Sequence, residues 1–106
     1  MERIEQIKDF LKDSPNDAFL NYALAQEWIK LGDMDAALNQ FLGLLEKHPD
    51  YLATYYHLGK LYIKLGRKEE AMSIFDTGID KAKKAGEQHT LSELQSAKLE
   101  LEYDDD

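Results

Sequence analysis

The chain has 106 residues, 43% of them hydrophobic, no cysteine and a net charge of −8. That length suits one domain and that apolar content supports a packed core, which excludes wholesale disorder. The missing cysteines exclude a disulfide framework, thiol catalysis and any Cys-based zinc site, and the acidic balance argues against nonspecific binding to DNA or an anionic membrane.

The charge is unevenly spread. Residues 1–17 carry −2 (3 basic, 5 acidic) and 18–51 carry −3 (2 basic, 5 acidic). Residues 52–85 carry +3 (7 basic, 4 acidic), and 86–106 carry −6 (1 basic, 7 acidic). A basic patch inside an acidic protein is more selective than a uniformly basic surface.

In chain order, the spacing of Ile4, Ile7, Phe10 and Leu11 predicts a first helix over 2–12. This N-terminus has no uninterrupted apolar run and no cleavage signal, so no signal peptide is expected. Asp13-Ser14-Pro15-Asn16-Asp17 reads as a turn and helix start. A second helix follows to about Leu31 and stops at Gly32. Asp33 caps a third, over 34–47, with Ala37, Leu38, Phe41, Leu44 and Leu45 inward. Pro49-Asp50 opens a fourth to Leu65, ended by Gly66. A fifth spans 68–85, with Glu69 and Glu70 in its first turn, where negative charge is favoured. Gly86 ends it. A sixth occupies about 90–102, with Thr90-Leu91-Ser92-Glu93 as a capping box. No stretch approaches the ~18 apolar residues needed to span a bilayer.

A shift of 34 residues superposes the chain on itself. Pro15 falls on Pro49, Tyr22 on Tyr56, Leu24 on Leu58, and Ile29-Lys30-Leu31-Gly32 on Ile63-Lys64-Leu65-Gly66. Ala37, Phe41 and Lys47 fall on Ala71, Phe75 and Lys81, giving ten identities in the 35 pairs of 15–49 against 49–83. Such a period marks stacked helical hairpins, each unable to bury its apolar face alone. The same shift carries Ile4, Ile7, Phe10 and Leu11 onto Leu38, Phe41, Leu44 and Leu45, so the first helix looks like half a hairpin. The exact period fails at the sixth helix, where it puts His89, Ser92, Glu93 and Ser96 at core positions. About five extra residues place Leu94, Ala97 and Leu101 there instead.

Tyr55-x-x-Leu58-Gly59-x-x-Tyr62 followed by Ala71-x-x-x-Phe75 resembles the tetratricopeptide repeat. Leu24-Ala25-x-x-Trp28, Gly32, Ala37-x-x-x-Phe41 and Pro49 form a first copy. The resemblance implies an all-α fold of about six helices: a right-handed superhelical array of antiparallel hairpins. Residues 1–103 then form one domain: an N-terminal capping helix (1–14), repeats at 18–51 and 52–85, and a C-terminal capping helix (86–103). Residues 104–106 are an acidic tail. Asn21 departs from the pattern, which usually has a large apolar residue there, and suggests a looser start. No proline closes the second unit.

The family also implies a concave groove, lined by the leading helix of each pair, that takes peptides or short helices of partner proteins. On the second helix the groove positions are Phe19 at the rim, Tyr22, Gln26 and Lys30; on the fourth they are Tyr56, His57, Lys60 and Lys64. Tyr56, Lys60 and Lys64 are spaced one turn apart on one face. Tyrosines give rigid contact area, while lysines steer and bond carboxylates, so this wall suits a ligand with acidic groups. The plainer reading is that Lys30 and Lys64 complement helix C-termini and the tyrosines shield core. Some family members grip a chaperone C-terminus with a lysine and asparagine set. Here those positions hold Tyr22, Gln26 and His57, with Glu87 and Leu91 in the strict period, which opposes such a clamp.

The expectation is a non-enzymatic, cytoplasmic protein-interaction adaptor without cofactor or metal. The alternative is a self-associating scaffold, a homodimer through terminal helix faces. His57, His48 and His89 lack convergent ligands or a nucleophile. Asp33-Met34-Asp35 lacks the glycine and glutamate of a calcium loop. Nucleic-acid binding through Lys60, Lys64, Arg67 and Lys68 runs against the net charge. The acidic tail is expected either to be solvated or to visit the lysines of its own or a neighbouring molecule.

Overall fold

Each turn between helices has a local cause. The Asp17 carboxylate accepts the Leu20 N–H at 2.8 Å, and the Asp33 carboxylate accepts the Ala36 N–H at 3.0 Å, so both cap helices. Gly32 and Gly66 have φ of 82° and 75°, a left-handed conformation that side chains with a Cβ resist. In both copies the next residue bonds back into the finished helix: Asp33 N–H to Trp28 O at 2.9 Å, Arg67 N–H to Tyr62 O at 2.8 Å. This is the Schellman closure, built twice at the same repeat position.

The structure, a computed structural model, describes residues 2–104. Among them are six α-helices: α1 (Glu2–Asp13), α2 (Ala18–Lys30), α3 (Met34–Lys47), α4 (Ala53–Lys64), α5 (Lys68–Ala85) and α6 (Gln88–Tyr103). The fold is all-α, as the repeat predicts. The chain divides into two units, Met1–Tyr51 and Leu52–Asp106. Asp105 and Asp106 of the acidic tail lie outside the described residues, and Asp104 is exposed.

In the first unit α2 and α3 pair as a hairpin and α1 packs on α2. Ile4 and Ile7 meet Leu24, with Leu11, Ala23 and Trp28 against them. Ala25, Ala37, Phe41 and Leu44 are also buried. Phe10, expected inward, is 64% exposed. The i, i+3, i+4 stripe of α1 is satisfied by Ile4, Ile7 and Leu11, leaving Phe10 at its edge.

In the second unit α4 pairs with α5, and α6 packs on both. Two glycines set the spacing. A Cβ at Gly59 would stand 2.2 Å from the Phe75 ring, and one at Gly78 would stand 2.6 Å from the Tyr55 Cβ. Tyr55, Leu58, Phe75, Ala82 and Leu94 are buried around these contacts. Leu94, Ala97 and Leu101 face inward, as the lengthened spacing requires. The extra residues are taken up mainly by α5, which runs 18 residues against 14 in α3.

Two helix starts differ from expectation. α4 begins at Ala53, since Pro49 and Asp50 form the turn and Tyr51 stands where Asp17 caps the first copy. A phenol cannot replace that carboxylate, and the helix has no side-chain cap. α6 begins at Gln88, so Thr90 and Glu93 are already helical and the capping box is not formed. Gly86, with φ 72°, lets the Glu87 N–H bond to Ala82 O at 3.0 Å, which starts the next helix at once.

The glycines predict opposite effects of one methyl group. Gly59→Ala drives Cβ into a fully buried ring and should destabilise by about 1–3 kcal/mol. Gly43→Ala, in α3 with nothing within 4 Å of its Cβ, should stabilise by about 0.5–1 kcal/mol. Urea unfolding of both variants checks the pair; equal midpoints would contradict the close approach.

Candidate functional site

In the first unit, Phe19, Tyr22 and Tyr51 form an aromatic ledge. Ring centroids lie 6.4 Å apart for Phe19–Tyr22 and 5.8 Å for Tyr22–Tyr51. Phe19 is 60% exposed, while Tyr22 is half-buried, its hydroxyl accepting the Gln26 side-chain N–H at 3.2 Å. Burial pushes the Tyr51 phenol above its usual range, reinforced by Tyr22 and Asp17. Tyr51 therefore keeps its proton at neutral pH. Sequence reasoning passed over Tyr51 because it sits in a turn; its place opposite the Asp17 cap was the available signal.

Lys30 is already engaged. Its ammonium lies 3.1 Å from Glu27, which Arg3 of α1 also approaches at 4.0 Å. Asn21, expected to loosen the start of the repeat, pins it. Its amide donates to Pro15 O at 3.1 Å and Asp17 O at 2.8 Å, and its carbonyl accepts from Gln40 of α3 at 2.8 Å. The polar residue exchanges apolar packing for a tie between turn and hairpin.

In the second unit, Tyr56, His57, Lys60 and Lys64 follow one another along α4. The Lys60 ammonium stands 5.8 Å from the Tyr56 ring centroid, within cation–π range. Lys60 and Lys64 are exposed, and among the described residues neither has a carboxylate partner. Arg67, next along the basic stretch, is held by Glu70 at 3.4 Å and lies over Tyr62. The His57 ring meets Tyr56 edge-on at 5.2 Å.

Sequence reasoning missed the part played by α6. Tyr56 lines a cleft of about 280 Å³ with Ser92, Glu93, Ser96, Ala97 and Glu100. His89, Glu93, Ser96 and Glu100 recur at four, three and four residues, one helical face, and that spacing was legible. The first unit has a cleft of about 350 Å³ along α2 and α3, reached by Asn21, Trp28, Gln40, Gly43 and Lys47. Among the described residues no three His, Asp or Glu side chains are placed to hold a metal. No described helix is long and apolar enough to cross a membrane.

Burial holds the His57 imidazole below its usual range, with Glu93 opposing in part. Its folded pKa is lowered, so below about pH 6.5 the unfolded chain binds a proton that the folded chain refuses. His57 therefore costs stability as pH falls through 6.5, until the folded ring itself titrates. The urea midpoint of wild type should drop between pH 7.5 and 5.5 more than that of His57→Gln. Parallel pH profiles would contradict the assignment.

Comparison with known proteins places these features in a family. The tetratricopeptide repeat matches residues 29–94. A tetratricopeptide repeat domain protein from Salinibacter ruber is 50% identical, with a TM-score of 0.77, over 81% of this chain and 97% of that one. The TPR2B-domain:pHsp70 complex of yeast Sti1 has a TM-score of 0.86 at 17% identity, over 95% of this chain and 81% of that one, a likeness of fold. Protein DIA2 of Eremothecium gossypii is 33% identical over 67 residues, 63% of this chain, and the chain spans about a tenth of its length. Two glycine-closed hairpins in 34-residue register, the small residues at their crossings and the family match agree: the chain belongs to the tetratricopeptide repeat family.

Proposed function

We propose that this protein is a non-enzymatic interaction module that binds a peptide segment bearing acidic groups. The carrying observation is Lys60 and Lys64, exposed one turn apart on α4, without a carboxylate partner among the described residues, and with Tyr56 beneath Lys60. Unpaired ammonium groups beside an aromatic face offer charge-assisted hydrogen bonds to carboxylates and a flat surface for an apolar side chain. The aromatic ledge of Phe19, Tyr22 and Tyr51 offers a second contact surface of the same rigid kind. Gln26 supports it by fixing the Tyr22 hydroxyl. Lys30 contributes less, since binding a ligand carboxylate there means displacing Glu27. The family fold supports this reading, as does the yeast Sti1 domain of the same fold, whose structure is a complex with pHsp70.

The roles separate by chemistry. Lysines select and steer acidic groups; tyrosines supply most of the contact area. His57, edge-packed on Tyr56, holds that ring rather than the ligand. The expected location is the cytoplasm.

The test pairs charge reversal with a fold check. Lys60→Glu with Lys64→Glu should abolish binding of the partner captured by wild type from native lysate, by at least about tenfold in calorimetry with the purified partner. Circular dichroism should be unchanged, since both side chains are exposed. Retained affinity in the double variant would overturn the reading. A mass that rises with concentration, with no partner captured, would establish the self-associating scaffold instead.

A further inference from the structure

We propose that the cleft between α4 and α6 receives one cationic side chain, an arginine or lysine, of the bound segment. The inference rests on the peptide-binding reading above and names what else that peptide carries: a basic residue close to its acidic ones.

The walls of the cleft come from two elements of one unit. Tyr56 of α4 supplies an aromatic ring, Ser92, Ser96 and Ala97 of α6 small side chains, Glu93 and Glu100 the two carboxylates, and His89 an imidazole beside Glu93. At about 280 Å³ the space lies below the usual range for small-molecule sites, roughly 300–1,000 Å³, and suits a single long side chain. A carboxylate stripe by itself is a solvated face. Here the two carboxylates flank a ring and two hydroxyls in a concavity, which is how guanidinium and ammonium groups are held. The ring already stands within cation–π distance of one cation, Lys60.

Within the described part of the unit these carboxylates meet imidazoles only on the side of Glu93. Among the described residues neither Glu93 nor Glu100 has a lysine or arginine partner. Glu93 meets His89 at 3.7 Å, a contact between α6 residues that is an ion pair only when the imidazole carries a proton. Lys98, the lysine of α6, is committed elsewhere. It bonds Asp76 of α5 at 2.7 Å, a contact that raises its pKa, and it lines a different cleft beside Ile79 and Leu99. An incoming guanidinium has five donors for two carboxylates and two serine hydroxyls. An acidic side chain would be repelled. Tyr56 thus stands between two selectivities, the lysines further along its own helix and the carboxylates of α6.

The probes are N-acetyl-arginine amide, its uncharged counterpart N-acetyl-citrulline amide, and N-acetyl-aspartate amide, each titrated into the full chain by amide NMR. The arginine probe should shift Ser92, Ser96, Ala97 and Tyr56 saturably, on the order of millimolar affinity. The citrulline probe should bind at least about tenfold more weakly. Glu93→Gln with Glu100→Gln should remove the arginine response at an unchanged circular dichroism spectrum. Lys60→Glu with Lys64→Glu should keep it and lose the aspartate response. Equal shifts with citrulline, a response surviving in the double glutamine variant, or no shifts at Ser92–Ala97 would each overturn the proposal. A failed arginine titration with partner binding still sensitive to Lys60 and Lys64 would sink this inference alone. A successful one with partner binding insensitive to those lysines would sink the acidic-peptide reading instead.

Discussion

The crossing of α4 and α5 depends on an absent methyl group. Phe75 is fully buried because its ring occupies the space a Cβ would need at residue 59. The close approach then allows Tyr55 to pack over Gly78 with Leu94 alongside, which brings α6 into the same core. In the first copy the positions of Gly59 and Phe75 are held by Ala25 and Phe41, both fully buried. One methyl more is therefore present on the leading helix of one hairpin and excluded from that of the other. Interiors packed to crystal-like density transmit such differences instead of absorbing them. The position of α6, and with it the cleft beside Tyr56, follows from this contact.

What could be read in advance was what repeats or alternates. The third and fifth helices were legible to the residue because glycine closes the preceding helix and the following residue starts the next. Gly86 obeys the same rule, and applying it would have placed the start of α6 at residue 88. The capping-box pattern at Thr90 was a locally plausible competitor that lost to the backbone bond from Glu87 to Ala82 O. At α4 the misreading was of another kind. Proline and aspartate serve both turns and helix starts; only comparing Tyr51 with Asp17 shows that the second copy lacks its cap. Phe10 and Asn21 show the limit of pattern reasoning. An apolar residue at helical spacing can sit at the edge of the stripe, and a polar residue at a core position can be the one that ties a turn down.

The residues of the candidate site were legible as types more than as partners. Tyr56 and Lys60 do meet, as one-turn spacing on a helix requires. That Lys30 is spent on Glu27 follows from spacing too, three residues apart on one helix, yet the repeat invited reading it as the twin of Lys64. Glu27 has Leu61 as its counterpart, buried in the second unit, so the ion pair cannot recur there. The equivalence of the two lysines ends at their neighbours. Internal repeats keep the backbone solution while leaving charge free to diverge, so the surface chemistry of one copy does not follow from that of the other.

Charge arrangement also bears on how a ligand would be held. Residues 52–85 carry +3 and 86–106 carry −6, so cations of α4 and carboxylates of α6 lie within one unit of net −3. Exposed ion pairs contribute only about 0.2–1 kcal/mol each, and salt weakens them further. Lys60, Lys64, Glu93 and Glu100 together cannot supply tight binding. In the proposed binding mode they would discriminate: a segment with the opposite order of charges would meet like charges at both ends, and a mismatch costs more than a match gains. Affinity must come from desolvating apolar and aromatic surface, and Tyr56 is the half-buried ring common to both charged groups. Under the proposed reading, a well-matched ligand would place apolar or aromatic surface against Tyr56, with its charges on either side. Its binding should be modest in strength, fast to form and sensitive to ionic strength.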